Sequence, residues 1–254
     1  MPSIERLHFP NVHGQQLSAR LDLPDQKPRA YALLAHCFTC NKSLKAAGYI
    51  AKSLVDQGMA VLRFDFTGLG ESEGDFSDTN FTSNVQDILS AADFMQQAGY
   101  APSVLVGHSL GGTAVLKAAG LIASVQAIVT VASPASPAHV SEQFSDSKAI
   151  IAEHGEATVK LAGRNFTIKQ QFIDDLEEAS VLEDVSKLKK ALLVMHAPLD
   201  EMVGIENASI IFQAAHHPKS YVSLDQSDHL LSNAFDARYV GQLIAVWAER
   251  YLNG

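Results

Sequence analysis

Apolar and polar residues alternate over residues 4–23, on either side of Pro10-Asn11-Val12-His13-Gly14. A period of two puts one set of side chains on each face of a strand, so this stretch predicts an antiparallel hairpin at a sheet edge. The pattern then changes to short unbroken apolar runs: Tyr31-Ala32-Leu33-Leu34-Ala35, Ala60-Val61-Leu62-Arg63-Phe64, Val104-Leu105-Val106, Ala127-Ile128-Val129-Thr130-Val131 and Ala191-Leu192-Leu193-Val194-Met195. Such runs mark strands buried on both faces. Tyr221-Val222-Ser223-Leu224 is the last of the eight predicted strands.

Between the runs, apolar residues recur at helical spacing. Leu44, Ala47, Ala51, Leu54 and Val55 lead to Gly58, a left-handed stop. Ser83-Asn84-Val85-Gln86 reads as a capping box opening a helix that buries Val85, Ile88, Leu89, Ala92 and Met95 before Gly99. Further helices are predicted over residues 110–119, up to about residue 215, and at the C-terminal end, where Val240, Leu243, Ile244, Trp247 and Tyr251 face the core. Strands alternating with helices predict an α/β fold: a mostly parallel eight-stranded sheet with helices on both faces.

One interval breaks the rhythm. About sixty residues separate the strands at 127–131 and 191–195, where a plain crossover needs one helix and short loops. The segment carries Pro134 and Pro137, an alternating pair at 157–161 and 165–168 turned at Ala162-Gly163-Arg164, and a predicted acidic helix over 171–179. It is expected to be a small cap, hairpin plus helices, spanning 134–187, with residues 1–133 and 188–254 forming the core. Ligands bind at the carboxyl ends of parallel strands, the face such a cap would cover.

The chain has 254 residues, 19 basic and 28 acidic side chains and a formal charge of −9, which argues against a nucleic-acid partner. The residues after Met1 enter strand-like sequence directly, and no apolar run approaches the ~18 residues that span a bilayer, so no membrane association and a cytoplasmic location are expected. Cys37 and Cys40 form no disulfide framework. They read as packing thiols in a reducing compartment, rather than a redox pair or half of a zinc site.

The candidate chemistry centres on Gly107-His108-Ser109-Leu110-Gly111-Gly112, a Gly-x-Ser-x-Gly between a strand and a helix. That context makes a sharp turn with the serine hydroxyl exposed at its apex, and the two glycines are needed because side chains there would collide. A serine hydroxyl needs a base, and the base needs a carboxylate to fix its tautomer. In this type of sheet the chain order is Ser, then Asp or Glu, then His, each beyond the end of a strand. Asp200 lies five residues beyond one predicted strand and His229 five beyond the last. Of the other histidines, His8, His13 and His36 precede the serine and His108 lies inside the turn. His139 and His154 fall in the insertion, His196 precedes Asp200, and His216 and His217 close a helix. Asp225 and Asp228 share the loop of His229 and read as solvated or loop-bracing groups.

The backbone N–H of Leu110, at the start of a helix, is the natural first oxyanion donor, and that of Phe38, in the loop after the strand at 31–35, is the second. The glycines at 68, 70 and 74 match no phosphate-binding motif and read as a tight structural turn. No metal and no organic cofactor is expected.

These residues together, Gly107 to Gly112, Asp200, His229 and His36-Cys37-Phe38-Thr39, resemble the α/β-hydrolase superfamily over nearly the whole chain. More narrowly, Ala35-His36-Cys37-Phe38-Thr39-Cys40-Asn41-Lys42, the stretch from Arg63 to Ser72 and His217-Pro218-Lys219-Ser220 look like the hydrolase often fused to an OsmC-type hydroperoxide-reductase domain. The Phe-Thr after His36 and the hairpin-bearing insertion are also similar to bacterial cinnamoyl and feruloyl esterases, which carry glycine where Cys37 stands. The resemblance implies a serine carboxylesterase acting on a small-molecule ester, of small or medium acyl groups first and aromatic acyl groups next. Phe144, Phe166 and Phe172 are expected to line an acyl or alcohol pocket or, equally, to pack inside the cap. A homodimer and a functional link to an OsmC-type protein are further expectations. The alternatives are a thioesterase or amidase on the same residues, and a non-catalytic accessory module.

Overall fold

The computed structural model describes residues 2–252. An edge hairpin, β1 (Ser3–Pro10) and β2 (Gln16–Leu23), leads into β3 (Ala30–Ala35), α1 (Lys45–Asp56) and β4 (Met59–Phe64). Then follow α2 (Phe81–Gln97), β5 (Val104–His108), α3 (Leu110–Ala119) and β6 (Ala127–Val131). The interval before the next sheet strand holds a 3-10 segment (Pro137–Ser147), α4 (Lys148–His154), the hairpin β7 (Glu156–Leu161) and β8 (Arg164–Lys169), α5 (Gln170–Glu178) and α6 (Leu182–Lys187). The chain closes with β9 (Ala191–His196), α7 (Glu206–Ala214), β10 (Lys219–Ser223) and α8 (Ala234–Leu252).

Eight strands form one sheet in the order β1-β2-β4-β3-β5-β6-β9-β10, with β7 and β8 a separate pair. β1 and β2 are antiparallel, as are β2 and β4, and every pair from β4 to β10 is parallel. Every residue of β4, β5, β6 and β9 is buried, because helices cover both faces of the sheet. On one face α1 and α8 pack through Ile50, Leu54, Val240 and Ile244. On the other, α2 and α3 pack through Ile88, Met95, Val115 and Leu116, and the same apolar layer runs on into the interval through Phe144, Ile151, Phe172 and Leu176.

The order of the strands decides where a site can form. The chain leaves β3 outward to β4 and returns to β5 on the far side of β3, so the loops after β3 and β5 open side by side at a switch in winding direction.

Three local expectations are corrected. The helix expected to begin at Ser83 begins at Phe81, because Asn80 is the cap: its side chain accepts from Ser83 N at 2.8 Å and its N–H donates to Ser83 Oγ at 2.9 Å. The last strand spans Lys219–Ser223 rather than 221–224. Cys37 and Cys40 are disulfide-bonded to each other rather than free thiols. The four-residue turn brings their Cα atoms to 5.3 Å, within disulfide reach, which spacing alone does not reveal. The bridge also removes the inference from cysteine usage to a reducing compartment.

Candidate active site

Ser109 stands between β5 and α3 with φ 53° and ψ −128°, a strained conformation for a residue with a side chain. The turn can be this tight only without side chains on either side: a Cβ on Gly107 would strike the backbone of Gly111 and Gly112, and one on Gly111 would strike the backbone of Ala35 and His36. The second contact also seats the start of α3 against the loop after β3. Ser109 N–H donates to Val131 O at 2.9 Å, tying the turn to β6.

His229 Nε2 lies 3.1 Å from Ser109 Oγ, and its Nδ1 lies 2.8 Å from Asp200 Oδ2. The three residues are 4 %, 6 % and 7 % exposed, so the contacts form in a largely water-excluded setting. Asp200 follows β9, and its other oxygen, Oδ1, accepts the N–H groups of Met202 and Val203, both at 2.9 Å. Burial pushes its carboxyl up, but the His229 hydrogen bond and these two N–H donors outweigh burial and hold it below the ordinary carboxylate range. A carboxylate on Nδ1 leaves Nε2 as the proton acceptor facing the serine hydroxyl. The arrangement can therefore deprotonate Ser109 and hold the resulting imidazolium.

Leu110 is the first residue of α3, where backbone N–H groups lack helical acceptors. Among the described residues no loop or turn hydrogen bond uses the N–H of Leu110 or of Phe38. The loop carrying Phe38 is fastened at both ends. His36 is buried with Nδ1 2.8 Å from Cys37 O, the disulfide closes residues 37–40, and Arg164, the first residue of β8, donates to Thr39 O. At the far end Lys42 is buried: its Nζ meets Asp65 at 2.6 Å, Glu71 at 2.7 Å and Ser18 Oγ at 3.0 Å, while Arg63 Nη1 donates to Lys42 O at 2.6 Å. Arg63 is itself paired inside the protein with Asp22 at 2.8 Å. Sequence reasoning gave these charged residues no role. The signal available was a lysine after an apolar strand and an arginine inside one, positions where a charge must find a partner.

Phe144, Phe166 and Phe172 are all buried. Phe172 packs against Phe38, Phe76 and Phe144, and Phe166 packs against Phe76, so aromatic rings run from the interval to the loop of Phe38. A narrow cavity of about 10 Å³ beside that loop is lined by Phe38, Phe66, Leu69, Phe76 and Leu110, and by none of the three. A wider open groove of about 460 Å³ lies at His229, with Leu199, Met202 and Leu230 exposed along it and the Glu201 and Asp228 carboxylates on its walls. Asp228 also braces its loop, accepting Ser232 N–H at 2.8 Å. Among the described residues no group of three or more His, Cys, Asp or Glu side chains could hold a metal ion, and no helix is long and apolar enough to cross a membrane.

The profile of the family described as serine aminopeptidase, S33 matches residues 26–161, just over half the chain. A crystal structure of the esterase domain of a Rhodothermus marinus protein is 47 % identical, covers 99 % of this chain and 100 % of its own, and superposes with a TM-score of 0.81. Est1E from Butyrivibrio proteoclasticus, solved with ferulic acid bound, shares the fold at 20 % identity and TM-score 0.81, over 98 % of this chain and 100 % of its own. Mouse ABHD10, described as a mitochondrial palmitoyl-protein thioesterase, is 27 % identical over 188 residues, 70 % of this chain and 62 % of its own length.

Proposed function

This chain belongs to the serine aminopeptidase S33 family of α/β-hydrolases and is a serine hydrolase of the esterase and thioesterase type, and from that premise we propose that it is a carboxylesterase working through Ser109, His229 and Asp200. The observation that carries this reading is the unbroken contact Ser109 Oγ to His229 Nε2 to Asp200 at 3.1 and 2.8 Å, at the apex of a strained turn.

In this mechanism His229 Nε2 takes the hydroxyl proton as Ser109 Oγ attacks the ester carbonyl. Asp200 orients the ring and stabilises its positive charge. The N–H groups of Phe38 and Leu110 receive the developing oxyanion, a contribution on the order of 10²- to 10³-fold per donor. The tetrahedral adduct collapses as His229 protonates the departing alcohol, and water, deprotonated by the same ring, frees the acid and restores Ser109.

Two spaces bear on the substrate, one lined by Leu110, the neighbour of the serine, and one by His229. The acyl group packs toward the Phe38 loop, where the cavity of about 10 Å³ has room for about one water, so small acyl groups come first and medium or flat aromatic ones only as the rings of Phe38 and Phe76 move aside. The alcohol leaves from His229 into the open groove, over Leu199, Met202 and Leu230. The segment 134–187 acts as a cap whose hairpin reaches the oxyanion loop through Arg164, with the aromatic cluster as its floor. A thioesterase reading has the mouse relative in its favour. The cavity of about 10 Å³ at the Phe38 loop holds no long acyl chain as it stands, so short thioesters are the ones to test first.

The test is hydrolysis of p-nitrophenyl esters of graded acyl length and of methyl hydroxycinnamates by the wild type and S109A. Turnover of short esters that falls roughly 10⁴- to 10⁶-fold in the variant is expected. A wild type inactive on all of them, or a variant that keeps its rate, overturns the reading.

A further inference from the structure

His108 and His196 have no part in the steps above, yet each is buried and each turns Nε2 toward a main-chain carbonyl of a loop that carries a site residue. His108 Nε2 lies 2.7 Å from the carbonyl oxygen of His229, and His196 Nε2 lies 2.8 Å from that of Val203, in the turn that holds Asp200. A carbonyl only accepts, so both rings carry the hydrogen on Nε2. In both rings Nδ1 is buried and has no partner among the described residues. The polar capacity of the His108 ring is thus committed to one bond, to a loop remote in sequence, whereas His196 Nε2 also stands 3.6 Å from Asp200 Oδ2.

His108 is the last residue of β5, immediately before Ser109, and its bond reaches 121 residues along the chain. The loop enters from β10 held by Leu224 N–H to His196 O at 2.8 Å, and beyond it the other main-chain hydrogen bonds are local. Ser227 N–H donates to Leu224 O, Leu231 N–H to Asp228 O at 3.1 Å, and Ser232 N–H to the Asp228 side chain. Among the described residues, then, the main chain of 225–231 has one long-range anchor, and it comes from the strand that delivers the serine.

We propose that His108 is a positioning residue, setting the Ser109 to His229 separation by clamping the His229 carbonyl; the proposal rests on the reading of Ser109 and His229 as nucleophile and base. Because the clamp and the nucleophile share one strand end, the ring of the base and the serine hydroxyl are held in a common frame. Its loss displaces the base without removing any group that touches substrate. Binding is then unaffected while proton transfer suffers.

The experiment compares H108Q, H108N and H108L. The glutamine amide nitrogen reaches as far as imidazole Nε2 and can donate to the same carbonyl, the asparagine amide is too short, and leucine fills the space without a donor. H108Q is expected to keep kcat within about threefold of wild type, whereas H108N and H108L lose about 10- to 100-fold in kcat with KM little changed, the size of effect a misplaced catalytic group produces. The proposal is overturned by H108N and H108L with wild-type kcat, or by losses that track each variant's melting temperature instead of its donor. If the wild type has no Ser109-dependent turnover, the parent reading fails separately. The variants are then judged by the Ser109 to His229 distance in their crystal structures, where a wild-type distance in H108L overturns the clamp.

Discussion

His36 and His108 lie buried where water cannot solvate an imidazolium, and burial is the first cause that lowers both from 6.5 to about 4. For His108 the charge of neighbouring His229 adds to it. The unfolded chain therefore binds more protons than the native one between pH 6.5 and 4, and stability falls as pH falls through that window. Asp87 works in the opposite sense: burial raises it from 3.8 to about 6, against hydrogen bonds from Thr67 N–H and Oγ1, so native protein binds the extra proton and gains stability on acidification. From pH 7 to 4.5 each histidine costs about 2 kcal/mol and Asp87 returns about 2 kcal/mol. Urea denaturation at the two pH values should show a smaller acid-induced loss for H108Q than for wild type by about 2 kcal/mol, and a larger loss for D87N. Equal losses in all three proteins would show that these groups do not titrate as their burial requires.

The loop from His36 to Lys42 is the element where the sequence was least informative. Strands and helices were legible because burial on two faces demands unbroken apolar runs and burial on one face demands a period, both of which survive in a single sequence. The meeting of Ser109, Asp200 and His229 was legible too, since each stands just beyond a strand and parallel strands end on one side of the sheet. Nothing periodic marks a disulfide, a lysine paired with Asp65 and Glu71 or an arginine reaching a carbonyl. Those depend on which loops the winding brings side by side. The capping residue of α2 was misplaced by three positions for a related reason, as Asn80 and Ser83 both have capping chemistry and only the backbone path decides between them. The three phenylalanines of the interval were visible as apolar, but the packing of Phe166 and Phe172 against Phe38 and Phe76, and of Phe144 against Phe172, was not. The disulfide closes only four residues, for which the chain-entropy relation gives about 2 kcal/mol. C37S/C40S should lose stability of that order and lower kcat more than it raises KM, because the bridged turn carries the Phe38 N–H. Unchanged kcat with lowered stability would separate the bridge from the proposed oxyanion role of the Phe38 N–H.

At the scale of the whole molecule, charge and shape act together on the substrate. The protein carries −9 overall, and the groove at His229 sets Glu201 and Asp228 among Leu199, Met202, Leu230 and the uncharged polar Gln226 and Ser227. An anionic leaving group passing about 4 Å from one of these carboxylates is disfavoured by about 1 kcal/mol, or roughly fivefold, in a solvent-exposed setting. Esters of 4-hydroxybenzoate should therefore be poorer substrates than those of neutral 4-hydroxybenzamide, with the gap closing at high salt and in E201Q/D228N. A gap unmoved by either change would place the leaving group elsewhere. All of this stands on Ser109 being the nucleophile. The most direct test is intact-protein mass spectrometry with peptide mapping after treatment with an alkyl fluorophosphonate. A single adduct is predicted, on the peptide containing Ser109, absent in S109A and formed far more slowly in H229A. A wild type that takes no adduct, or takes it on another residue, would contradict the account.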